Sequence, residues 1–317
     1  MGLLHQRTRH RSRHRAGRYR ARRTRGQQGP HGASRGKGCR REQLDGKDRR
    51  DPSCRGLNAV AGTPVEAAGH PLFEFDASPH AVINPSIHRP IPGFPERAVN
   101  TWFGDVFRAK FARSVPVYSI PFEHGAHDVH VVEHRGVGVA VFNTPVGAPA
   151  AVAILESVIA LGARKFIGCG GAGIVREGFD VGHVIVPDGA VRDEGTSHHY
   201  APVGHEVVPH PDALAAIHAE LTDAGVPYDR GVTWTTDAFF RETPAKVARR
   251  REQGCICVEM EASAMFAAAA FRGVTYGQLL YAGDDVSANE WDHRHWDSQT
   301  SARERLLDLA ISAACRL

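Results

Sequence analysis

The chain is 317 residues long, with 42% hydrophobic and 23% charged residues, enough apolar material for a true core in one large domain or two ordinary ones. Its formal net charge of +4 conceals two unlike segments: residues 1–60 carry 18 Lys+Arg against 4 Asp+Glu, net +14, and the remainder carries 21 against 31, net −10. The overall basicity is therefore no reason to expect nucleic-acid binding by the folded part, the six scattered cysteines exclude a disulfide scaffold, and no 18-residue apolar stretch is present to cross a membrane as a helix.

Residues 1–69 are dominated by Arg, Gly, Gln, Ser and His. The run RTRHRSRHRAGRYRARRTRG has no periodicity that buries a face, which predicts a disordered extension. It has neither the apolar stretch of a secretory signal nor the amphipathic pattern of a transit peptide. Its charge attracts RNA, DNA or anionic lipid only weakly, by counterion release, so neither a specific nucleic acid nor a membrane is expected as a partner. Removing residues 1–69 should leave the thermal midpoint and kcat/KM essentially unchanged. A cooperative loss of folding in the truncated protein would contradict this.

Residues 70–317 have the size of one α/β domain. Ala81–Ile83 reads as the start of a strand, and Glu96–Phe111 as a helix after Pro95. Val115–Ile120, Val129–Glu133 and Val137–Phe142 read as strands, the last two joined by a turn at Arg135-Gly136. Pro149 suits the first turn of a helix whose apolar face is Ile154, Val158 and Leu161, with Gly162 as its stop. Lys165–Cys169 reads as a strand running into a glycine loop, Gly170–Gly173, and Val184–Val186 as another strand. Pro211 opens a helix closed at Gly225. Val232–Thr235, Ile256–Val258 and Gln278–Tyr281 complete the inner strands, with helices at Ala262–Phe271 and Ser301–Cys315. This alternation predicts a single-domain α/β three-layer sandwich around a mixed, mostly parallel central sheet. Ligands then gather at the carboxyl ends of strands, on segments 143–149, 169–173, 236–243 and 283–287.

Several residue groups bear chemistry. The glycine-dense GCGGAG at 168–173 either exposes amides to an anion or simply packs a tight turn; it lacks the lysine of a nucleotide-triphosphate loop. Glu259-Met260-Glu261 ends an apolar strand and enters an alanine-rich helix. A carboxylate there caps helix amides or takes paired hydrogen bonds from vicinal hydroxyls, with Met260 as a soft surface for a sugar. Asp284-Asp285 follows the last apolar strand and either caps a turn or supplies a proton. His198-His199 and His293/His295 have no metal-site spacing, so no metal is expected. Cys255 and Cys257 read as core thiols rather than zinc ligands, consistent with a reducing, cytoplasmic compartment.

Together NTPVGAPAAVAILESVIALGARKFIGCGGAG, VGHVIVPDGAVRDEGTSHHYAP, TTDAFF, VEMEASAMF and AGDDVS resemble the nucleoside phosphorylase family, the branch of uridine phosphorylase, hexameric purine nucleoside phosphorylase and the methylthioadenosine nucleosidases. The resemblance covers about Ala81 to Leu317. It implies that Glu261 holds the ribose 2′ and 3′ hydroxyls with Met260 against the sugar and Thr144 beside it. Phe239 and Val258 would flank the base, with Arg241 able to read a carbonyl edge. Asp284 would protonate a purine at N7, and Gly147 and Gly171 would lie at phosphate. The family's GDPxR segment after the first strand is not found in AVINPSIHR, which leaves Arg89, and Arg97 of GFPER, as the phosphate-binding arginines. A family arginine and a hydroxyl residue are replaced by Gly168 and Gly171. The implied activity is phosphorolysis of a uridine or purine ribonucleoside to free base and ribose 1-phosphate. It would need no cofactor, take inorganic phosphate as co-substrate, and be carried out by a homodimer or homohexamer. Hydrolysis by a nucleosidase of the same fold, and nucleoside binding without catalysis, are the alternatives.

Overall fold

The computed structural model describes residues 69–123, 125–288 and 290–317. The extension expected over residues 1–69 lies outside the described residues except for Gly69. Along the described chain run β1 (Arg97–Thr101), α1 (Gly104–Phe111), β2 (Tyr118–Ile120), β3 (His127–His134), β4 (Val137–Asn143) and α2 (Ala148–Leu161). They are followed by β5 (Lys165–Ile174), β6 (Val184–Asp193), β7 (Glu206–Val207), α3 (Pro211–Asp223), β8 (Tyr228–Thr236) and α4 (Pro244–Glu252). β9 (Cys255–Glu259), α5 (Ala262–Phe271), β10 (Thr275–Asp285) and α6 (Thr300–Ala314) complete the series.

The strands form one mixed sheet. β1 lies parallel to both β4 and β5, β5 is parallel to β10, and β8 is parallel to both β6 and β9. Antiparallel pairings join β2 to β3, β3 to β4, β5 to β9 and β6 to β10. Because β10 pairs with β5 on one side and β6 on the other, while β9 ties β8 back to β5, these five strands close into a ring. A closed ring has no free edge on those strands. From it β1, β4, β3 and β2 extend as an open wing.

Helices cover both faces. On one, Ile154 and Leu155 of α2 and Met265 and Phe266 of α5 pack on Ala98 and Phe142. On the other, Phe107 of α1, Ile217 of α3 and Leu307 of α6 pack on Val99, Ile167 and Leu279. This is the expected α/β three-layer arrangement. Local signals explain much of it: Arg135 and Gly136 both have positive φ, 52° and 73°, as the two-residue hairpin turn between β3 and β4 requires. Cys169, Cys255 and Cys257 are buried free thiols, and burial pushes Cys255 up to about 12.

Three expectations fail. Ala81–Ile83 is not a strand: Val82 and Ile83 are exposed and sit at bends, and they pair with no strand among the described residues. The helix expected over Glu96–Phe111 is a strand followed by a helix. RAVNT is drawn into the centre of the sheet between β4 and β5, where four of its five residues are buried, and only Gly104–Phe111 is helical. Pairing on both sides outweighs the local 3.6-residue spacing. Third, the glycine loop expected at Gly170–Gly173 is instead a continuation of the strand, within the ten-residue β5.

Candidate active site

Strands β5 and β9 meet at their carboxyl ends, where Gly173 pairs with Val258, and the end of β10 runs alongside β5. Gly173 is a point of close approach: a Cβ there would lie 3.1 Å from Val258 Cγ1 and 3.5 Å from Asp284 Oδ1. The missing side chain lets the β10 carboxylate lie directly against the β9 strand that leads to Glu261.

The two glutamates of VEME have separate tasks. Glu259 is the cap: its Oε2 accepts from the amides of Glu261 (2.7 Å) and Ala262 (2.6 Å), and its Oε1 accepts from the Thr235 hydroxyl (2.6 Å). That satisfies orphan donors of α5 and leaves Glu261 unneeded for capping. Glu261 Oε1 instead accepts from the Gly147 amide at 2.5 Å across the sheet, in the segment after β4. Burial, then the negative charge of Glu259, pushes the Glu261 carboxyl up to about 8, while the Gly147 amide pulls it down. A buried acid with too few donors is a site that vicinal hydroxyls would complete.

The neighbouring segments converge. Thr144 is buried, and its hydroxyl has no hydrogen-bond partner among the described residues. Asp237, at the end of β8, is close enough to add repulsion to Glu261, and its Oδ2 accepts from the Gly195 amide at 2.9 Å. The next turn exposes Phe239 and Phe240, ring centroids 4.0 Å apart. Glu242 behind them is pushed up to about 7 by burial and then by the charge of Asp284. Asp284 Oδ2 accepts from the Trp291 indole at 2.7 Å. Asp285 differs: its Oδ1 accepts from the Ser287 amide at 2.7 Å and its Oδ2 lies 3.7 Å from Arg294, so it holds the turn. The structure thus brings Thr144, Gly147, Val258, Met260, Glu261 and Asp284 to one end of the sheet, with Phe239 on the adjoining loop.

The remaining expected residues are dispersed. Arg97 opens β1 at its amino end, the far end from these groups, and lies 3.8 Å from Glu96. Arg89 is exposed in the segment before β1, and Arg241 is exposed beyond Phe240. Gly171 is not dispersed with them: it is exposed on β5 two residues before Gly173, with the Tyr281 ring 3.0 Å from where its Cβ would be. With the first strand now at Arg97–Thr101, the Gly-Asp-x-x-Arg spacing sought after it is met by Gly104, Asp105 and Arg108. The Arg108 guanidinium folds back to 3.1 Å from the Cβ position of Gly104, which itself lies 3.5 Å from Asn143 at the end of β4. Sequence reasoning missed Arg108 because it placed the first strand too early. The signal, GDVFR, was present.

At Gly168 the reason for the glycine is plain. A Cβ there would lie 2.3 Å from the Tyr276 hydroxyl, which donates to Asn100 Oδ1 at 2.9 Å. The space over this position is filled by a buried tyrosine, not by a cation. Among the described residues no three His, Cys, Asp or Glu side chains gather as a metal site, and no helix is long and apolar enough to cross a membrane.

Residues 103–315 match the phosphorylase superfamily. Guanosine phosphorylase of Halorubrum lacusprofundi is 28% identical over 190 residues, 58% of this chain and 78% of that protein. Uridine phosphorylase of Treponema pallidum is 32% identical over 178 residues, 51% of this chain and 69% of that protein. Among solved structures, uridine phosphorylase of Vibrio fischeri superposes with a TM-score of 0.60 at 21% identity, over 71% of this chain and 93% of that one.

Proposed function

The chain belongs to the phosphorylase superfamily, and on that premise we propose that it cleaves the N-glycosidic bond of a purine ribonucleoside with phosphate, giving free base and ribose 1-phosphate. The observation that carries the reading is the pair of carboxylates with different surroundings on two adjoining strand ends. Glu261, buried and accepting from the Gly147 amide, suits two ribose hydroxyls; Asp284, held by an indole against Gly173, suits a leaving base. As the C1′–N9 bond breaks, positive charge grows on the sugar and negative charge on the base. Asp284 neutralises the second by protonating N7, and phosphate stabilises the first and attacks C1′. Met260 and Phe239 give apolar surface to sugar and base, and Thr144 and Gly147 close the ribose side.

Arg108 replaces Arg89 and Arg97 as the phosphate-binding cation in this reading. Purine is favoured over uridine because, among the described residues, donors for a pyrimidine carbonyl edge are not gathered behind Phe239. Arg241 is exposed, and Lys246 is bound to Asp193 at 3.0 Å. One observation favours hydrolysis as the second reading: the Tyr276 hydroxyl fills the space over Gly168, so a dianion has fewer guanidinium partners. Chromatography of inosine, guanosine, uridine and methylthioadenosine digests, with and without phosphate, decides both points. Ribose 1-phosphate formed only with phosphate is expected; free ribose at equal rate without phosphate would establish the hydrolase.

No cofactor is required by this chemistry. Phe239, Phe240 and Val146 leave the rim of the site apolar and uncovered in a single chain, which supports a homodimer or homohexamer in which a neighbour covers the rim. Light scattering at working concentration should give at least a dimer; a fully active monomer would contradict it.

A further inference from the structure

The loop after β10 is built to hold one side chain. Asp285 and Asp292 exchange both backbone hydrogen bonds, the amide of Asp285 to the carbonyl of Asp292 at 2.9 Å and the reverse at 3.0 Å. The far side of the loop is pinned again: the Tyr281 hydroxyl donates to the Trp296 carbonyl at 2.9 Å, and the Arg294 guanidinium donates to the Phe179 carbonyl. Arg294 and His295 both adopt positive φ, 50° and 49°, a conformation uncommon for residues other than glycine. What this loop presents is Trp291. Its ring is mostly exposed, so burial does not explain its placement, yet its Nε1 lies 2.7 Å from Asp284 Oδ2.

An indole N–H donates and cannot accept. Oδ2 of Asp284 is therefore the accepting oxygen, and a proton carried by this carboxyl is favoured on Oδ1, which leaves Oδ2 the stronger acceptor for the indole. Oδ1 has no hydrogen-bond partner among the described residues, and the carboxylate lies over Gly173, whose Cβ position is 3.5 Å from Oδ1 and 3.7 Å from Oδ2, so what distinguishes the two oxygens is the indole on Oδ2. We propose that Trp291 is a positioning residue of the reaction, fixing Asp284 so that its transferable proton sits on Oδ1 and faces the purine N7. The proposal rests on the reading of Asp284 as the acid. When the C1′–N9 bond breaks, its electron pair passes to the base, the Oδ1 proton moves to N7, and C1′ bonds to a phosphate oxygen. The carboxylate left behind keeps the indole on Oδ2 and is reprotonated from solvent.

An N7-methylated purine nucleoside separates this role from a structural one, because its base already carries the positive charge and leaves without a proton. Trp291→Phe keeps the ring and removes the donor. Its kcat on inosine should fall about 10-fold, the scale of one hydrogen bond to a charged group, with KM nearly unchanged. Its turnover of N7-methylinosine should stay within about 2-fold of native. Asp284→Asn run in parallel tests the underlying reading, and it too should spare N7-methylinosine. Equal losses of Trp291→Phe on both substrates, or no loss on inosine, would overturn the proposal while Asp284→Asn still showed the selective defect. No selective defect in Asp284→Asn, or no purine cleavage by the native protein, would overturn the acid assignment and the proposal with it.

Discussion

Glu261→Gln will be nearly inactive on ribonucleosides and yet harder to melt than the native protein at pH 8–9. The side chain keeps its volume and can still accept from the Gly147 amide. What it loses is the charge that strengthens two hydroxyl contacts, so kcat/KM should drop on the order of 10²–10³-fold, and less for a 2′-deoxyriboside. The stability change has the opposite sign. Burial and the charge of Glu259 raise the folded-state Glu261 carboxyl from the ordinary 4.5 to about 8. Between those values the folded chain binds the proton and the unfolded chain does not, so folding weakens as pH rises through the window. Above pH 8 the full cost is present, on the order of a few kcal/mol, and glutamine removes it. Melting curves of the two proteins should coincide near pH 5 and separate by several degrees at pH 8.5. A variant that is less stable at every pH would show that the carboxylate is a structural partner and not a ligand group held ready.

Asp284→Asn should lose roughly 10²–10⁴-fold in kcat on inosine or guanosine with substrate binding retained, the span commonly seen for a positioned general acid. Asn keeps an oxygen to receive the Trp291 indole, so the loop after β10 should stay in place. Asp285→Asn is the internal comparison: its carboxylate serves the Ser287 amide and Arg294, and losing charge there should cost a little stability and little rate. Should Asp285→Asn be the inactive one and Asp284→Asn the mild one, the acid has been assigned one residue too early. Steady-state kinetics on inosine and uridine, with melting curves for each variant, separates these outcomes.

The sequence revealed the three-layer α/β arrangement because its long elements carry their own signals. α5 occupies Ala262–Phe271 as expected, and α2 and α3 begin at prolines and are closed by glycines. It failed where the sheet overrode local pattern. RAVNT has the spacing of the helix that follows it and becomes a strand only because β4 and β5 flank it, a contact across 40 to 70 residues that no window reveals. The error then spread, since moving the first strand displaced the search for its following arginine and hid Arg108. The division between Glu259 and Glu261 was equally illegible. Both are acids at a strand–helix junction, and only three dimensions show that Thr235 and two helix amides occupy the first. Trp291 has no pattern in the sequence at all; a donor on a loop acquires meaning from the atom it reaches.

Gly168 and Tyr276 also constrain what this chain could become by mutation. An arginine installed at 168 would start 2.3 Å from the Tyr276 hydroxyl, inside a sheet buried on both faces, and would be rejected on its own. Shrinking Tyr276 first would open the space, but it would remove the hydroxyl that donates to Asn100 Oδ1 and leave a cavity in the core. Each single step is deleterious and only the pair is compatible. The two positions are epistatic in the strict sense, with a coupling that a double-mutant cycle would register. A chain that carries the tyrosine has no one-step route to an arginine at that strand, and selection for anion binding would have to act through other positions such as the turn that follows β1.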